Sequence, residues 1–152
     1  MSNVAKTKFV TATTKTGVNR NAGTITKQKL VSVGTPTGSE LAINGLYSGQ
    51  GTVSTVLGAI QEDVETGKSV TIMGPGSIVA LESDGSATIA YGDQIVAVSG
   101  ANLAASGRVK TLPGSAGTYY CVGRSVNPAT VAASAAALCL VELCHPFPIV
   151  VT

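Results

Sequence analysis

The sequence predicts a mainly β protein: a small β-barrel or β-tulip body with an extended N-terminal arm and at most one or two short helices. Three observations predict it. Apolar residues make up 44% of the chain and charged residues 12%, Trp is absent and there are two Phe, so the apolar share is mostly Val, Ala, Ile and Leu beside many Gly, Thr and Ser. That mixture suits strands and turns, whereas helices need more Glu, Lys and Arg on their wet faces. From about Thr52 onward, short apolar runs return roughly every ten residues with Gly or Pro between them, the spacing of a sandwich or barrel. Charge is also unevenly placed. Residues 1–39 hold Lys6, Lys8, Lys15, Arg20, Lys27 and Lys29 and no acid, giving +6; residues 40–152 hold four basic and eight acidic residues, giving −4.

The N-terminal segment is read as an arm over residues 1–35, ordered mainly by what it touches, followed by one β-rich domain over residues 36–152. "KFVTAT" and "KLVSVG" are short β-prone runs inside the arm, and "GTPTGSE" is the turn-rich joint. In the body, "GKSVTIM" alternates, with Val70 and Ile72 on one face. "SIVALES" follows the "GPG" turn, and "SDGS" marks a tight turn at Asp84-Gly85. "ATIAYG", "DQIVAVS", "GRVKTL", "TYYCVGRSV" and "LCLVELC" are the remaining strands.

Two stretches compete for helix. Val53–Val64 places Val56, Leu57, Ile60 and Val64 at helical spacing, but Gly58 inside it costs about 1 kcal/mol against Ala. Asn127–Leu138 is Ala-rich, with Pro128 near a helix start, and reads as a short helix or a loop. An internal similarity bears on the first. "VLGAIQEDVETGKSVTIM" aligns with "CVGRSVNPATVAASAAALCLVEL", Gly58 on Gly123 and "SVTIM" on "LCLVEL", with a longer excursion in the second copy. On that alignment Gly58 is a strand residue at a bulge or a close backbone approach, which favours strand over helix.

Catalytic chemistry finds little support. The only His, His145, lies in "CHPFP", and its neighbour Cys144 points to the opposite face of an extended chain. Glu62, Asp63 and Glu65 lack the alternating oxygen ligands of a calcium loop. "GLYSGQGT" has no following Lys-Ser/Thr, so it is no phosphate loop. Cys121, Cys139 and Cys144 fit no zinc spacing and read as small buried hydrophobes of a reducing compartment. No catalytic residue, cofactor or metal is expected. Arg108 and Arg124 are expected to pair with acids across an interface. No direct nucleic-acid contact is expected, since the arm has one aromatic, Phe9, and no binding motif. The longest apolar runs fall far short of the roughly 20 residues that span a bilayer, and "MSNVAKTKFV" has no apolar signal region, so a soluble protein is expected.

A first "G-x-[AV]" strand and the ordered segments "TGKSVTIMGPGSIVAL", "ATIAYGDQIVAVS", "GRVKTL", "YCVGRSV" and "ALCLVEL", together covering roughly Val56 to Leu143, resemble the small capsid decoration, or cement, proteins of tailed bacteriophages with a β-barrel or β-tulip body. The resemblance implies a non-enzymatic, head-stabilising virion protein on the outer capsid surface, made in the host cytoplasm. It implies a homotrimer that bridges major capsid proteins. Lys6, Lys8, Phe9, Lys15, Arg20, Lys27 and Lys29 of the basic arm are then the candidate capsid contacts, docking on an acidic partner surface. Alternatives from the residues alone are a tail-tube or fibre-base subunit, or a small cellular binding module.

Overall fold

The structure, a computed structural model, describes residues 13–152. It is built of ten strands: β1 Thr14–Asn19, β2 Lys29–Val33, β3 Ala42–Gly45, β4 Val56–Ile60, β5 Ser69–Met73, β6 Ile78–Glu82, β7 Gln94–Val98, β8 Arg108–Thr111, β9 Gly117–Ser125 and β10 Leu138–Val151. The one helical element among the described residues is a 3-10 turn at Val53–Thr55. The mainly β expectation holds, and the first five strands close a barrel in the order β1-β3-β2-β4-β5.

The second five strands repeat the first. Their sheet runs β6-β10-β9-β7-β8, which is the same cyclic order with the β6–β8 seam reduced to a single parallel bridge, Ser83 to Val109. The register matches residue by residue. β1 meets β5 at Thr14–Met73 and Val18–Ser69; β6 meets β10 at Ile78–Glu142 and Glu82–Leu138. Val31 faces Gly58 in the first unit as Ile95 faces Gly123 in the second. The parallel contact Asn19–Ile43 returns as Ser83–Val109. Even the isolated bridges correspond, Ile25 with Val64 and Ile89 with Val131.

Gly58 and Gly123 show why the repeat reads as it does. Each lies beside a register shift, between Val31 and Ser32 in one case and between Ile95 and Val96 in the other. A Cβ on Gly58 would sit 2.2 Å from the Met73 carbonyl oxygen, and one on Gly123 would sit 2.2 Å from that of Glu142. Only glycine allows the neighbouring strand so close. Val53–Val64 is therefore a 3-10 turn running into strand, and Asn127–Leu138 is irregular chain pinned by the Val131 bridge. "SDGS" joins strands that do not pair, so no hairpin forms there. Instead the Asp84 carboxylate accepts the Ser86 backbone N–H at 2.9 Å, and Gly85 alone of that pair takes positive φ, at 79°.

The interior has two parts. Ile25, Val31, Ile43, Ile60, Val64, Val70 and Ile72 fill the first barrel. The larger cluster belongs mostly to the second unit, with Val79, Leu81, Ile89, Ile95, Val109, Val122 and Val141, but Leu30, Leu46, Val56 and Ala59 of the first unit complete it. β2 lies between the two, and Lys29, Leu30, Val31 and Ser32 are all buried. The weak β6–β8 seam is where it docks: Glu82 N–H donates to Gln28 O at 3.1 Å and Leu30 N–H to Gly107 O at 2.8 Å.

This placement corrects the expected domain boundary. Residues 14–33 supply β1 and β2 to the barrel and their apolar side chains to the interior, so they are body rather than arm. Scattered lysines disguised them in the sequence. Residues 1–12 lie outside the described residues.

Candidate interaction surface

The basic residues assigned to one arm do not act as one set. Lys6, Lys8 and Phe9 lie outside the described residues. Lys15 stands exposed on β1, in a shallow depression shared with Thr13, Gly74, His145 and Pro146. Arg20 is ion-paired with Glu40. Lys27 is exposed, and its backbone N–H donates to the Asp63 carboxylate at 2.7 Å.

Lys29 is a correction. It was expected on a capsid-contacting arm, but its side chain is 1% exposed and its ammonium donates to Glu82 Oε2 at 2.5 Å and to the Ala104 carbonyl at 3.1 Å. The reason is its position on β2, the strand covered from both sides. Arg108 donates from Nε to the same Glu82 oxygen at 3.2 Å. Glu82 therefore ties the first unit to the second through Lys29 and to its own seam through Arg108. The expected partner acid for Arg108 thus lies within the chain.

Arg124 is different. It is exposed on β9 directly opposite exposed Glu142 on β10, and among the described residues neither takes part in an ion pair. They border an open groove of about 340 Å³ with Gln94, Cys121, Cys144 and Phe147. Burial, and after it the Cys121 thiol beside it, push the Cys144 pKa up to about 11. The Cys139 thiol is also raised, chiefly by burial. A raised thiol pKa leaves little of the thiolate that is the reactive form. Among the described residues no group of three or more His, Cys, Asp and Glu is arranged to hold a metal ion.

The feature that composition left hidden is the outer face of the second unit. Ile78, Leu138 and Leu140 are 61%, 47% and 39% exposed on that face, and past the register shift at Leu143 the ribbon end of β10 exposes Phe147 at 43% and, on its opposite face, Val150 at 68%. Among the described residues, five of the seven large exposed apolar side chains thus fall on two neighbouring strands. The equivalent positions of the first unit are Thr14, Ser69 and Thr71, all exposed and polar. A signal for this face exists in the sequence. "LCLVEL" is apolar at both alternations for most of its length, where a strand with one wet face should alternate. Beyond Cys121 and Phe147, β9 and β10 continue as a two-stranded ribbon to Gly117 and Val151, paired only with each other among the described strands.

No protein-family model matches the chain, and no curated protein matches it. Among solved structures the chain is similar to the crystal structure of the head fiber gp8.5 N base of bacteriophage phi29, at 12% identity and a TM-score of 0.45, with 87% of this chain and 96% of that chain covered. The β assignment of the present chain stands on its own strand pairing.

Proposed function

We propose that this chain is a non-enzymatic structural protein of a tailed-bacteriophage virion, which self-assembles as a homotrimer on the outer surface of the capsid and stabilises it by bridging major capsid proteins. The observation that carries the reading is the concentration of exposed apolar side chains on β6 and β10 of a body whose other strand edges are nearly all closed. Contiguous exposed apolar surface marks a protein that works in contact with others. The segments that resemble decoration proteins supply β5 to β10 of that body. The capsid contact falls to Lys6, Lys8 and Phe9 with Lys15 and Lys27, since Arg20 and Lys29 are already engaged within the chain.

The test is co-sedimentation with undecorated heads, comparing the full chain with a variant lacking residues 1–12. The described body begins at Thr13, so this deletion spares β1, whereas a cut at residue 30 would remove it and most of the barrel seam. The full chain is expected to saturate heads at a fixed ratio, and the truncated chain to lose at least tenfold in affinity while keeping its β circular dichroism. Failure of the full chain to bind heads, or its growth into tubes, would remove the capsid reading. Equal binding by both would leave the capsid but exclude the basic N-terminal segment as the contact.

A further inference from the structure

We propose that the outer face of β6 and β10, together with the β9–β10 ribbon, is the contact between copies of this chain. It deepens the self-assembly in the reading above and names its surface. The internal repeat supplies the control. One fold occurs twice in one molecule, under the same solvent. In the first unit the outward positions of the closing strand pair are Thr14, Thr16, Ser69 and Thr71; in the second the same positions are Ile78, Ala80, Leu138 and Leu140. The backbone therefore does not demand apolar residues there. The second unit carries them because that face is covered in the working assembly.

Two features identify the cover as a second copy. The first is size. β10 has 14 residues; at about 3.3 Å per residue it runs about 45 Å, and a strip two to three strands wide offers about 600 Å². A stable subunit contact takes about 800 Å² per partner, so the strip supplies most of one. The second is charge. The strip bears one exposed cation, Arg124, and one exposed acid, Glu142, side by side across β9 and β10, with no ion-pair partner among the described residues. A strip carrying both signs can meet the next copy head to tail around a three-fold axis, with Arg124 of one against Glu142 of the next. An acidic or basic foreign surface would match only one of them.

The test is the solution mass by light scattering over a concentration series, without heads. Wild type is expected at about three times the 15.1 kDa mass of the chain. Leu140→Glu is expected at the monomer mass with unchanged circular dichroism. Arg124→Glu and Glu142→Arg each should weaken association at least tenfold, and the exchanged double variant should recover most of it. That rescue keeps the proposal testable if Leu140→Glu fails to fold, because both charged side chains are exposed and make no internal ion pair among the described residues. A wild type that stays monomeric throughout, or charge variants that leave the mass unchanged, would overturn the contact. Head binding by the same samples separates the two proposals: monomeric wild type that still binds heads sinks only this one, and self-association without head binding sinks only the virion reading.

Discussion

Lys29 and Glu82 stand 53 positions apart in sequence and in direct contact in the fold. The ammonium is almost wholly buried, so its energetic weight depends on the carboxylate beside it. Removing one member of a buried pair leaves an uncompensated charge and costs roughly 3–5 kcal/mol, whereas replacing the ion by an apolar side chain of similar volume is far milder. Glu82→Gln is therefore expected to lose roughly 3 kcal/mol in urea unfolding, at the lower end because Glu82 is itself 19% exposed. Lys29→Met should lose less than half as much, because Arg108 still pairs with Glu82. Equal losses would show that the ammonium is not the stranded charge. At this scale the sequence was least legible. Six basic residues in a row without an acid resemble a solvated tail, and nothing local reveals that Glu40 neutralises one of them and Glu82 another.

At the scale of elements, strands were legible where a Gly or Pro punctuated a short apolar run, as at Ser69–Met73, Ile78–Glu82 and Gln94–Val98, whereas "ATIAYG" between the last two forms only an isolated Ile89–Val131 bridge. Gly58 was informative for the same reason: a glycine inside an apolar run is unfavourable in helix and meaningful in strand. The structure gives that meaning a number, the 2.2 Å that would separate a Cβ from the Met73 carbonyl oxygen. Gly58→Ala and Gly123→Ala are both expected to destabilise by roughly 3 kcal/mol or more, since the clash is with neighbouring-strand backbone that cannot move aside. Gly114→Ala, where nothing lies within 4 Å, should stay within about 0.5 kcal/mol. Thermal unfolding of the three variants checks this, and a mild Gly58→Ala would mean the strands can part without loss. The β1 and β2 strands were missed as body because neither can be recognised alone. β1 holds one large apolar side chain, Val18, and derives its place from pairing with β5 and β3.

For the whole molecule, the repeat does not give two independent domains. Leu30, Leu46, Val56 and Ala59 of the first unit lie in the same apolar cluster as Val79, Leu81, Ile95 and Val141 of the second. The second unit alone would expose that cluster at the weak β6–β8 seam. The full chain should therefore unfold in one cooperative step, with calorimetric and van't Hoff enthalpies equal, and a fragment of residues 77–152 should lack fixed structure. Two resolved transitions would contradict this. Part of this architecture was visible in the loose match of Gly58 with Gly123; the rest depended on pairings between residues about 60 positions apart, such as Thr14 with Met73 and Ile78 with Glu142, which no local pattern encodes. The β10 strand of the ribbon contains Pro146 and Pro148, neither of which can offer an amide hydrogen to an incoming strand. Among the described residues the open border of this strand thus offers an incoming strand two fewer donors, which disfavours edge-to-edge growth into a fibre.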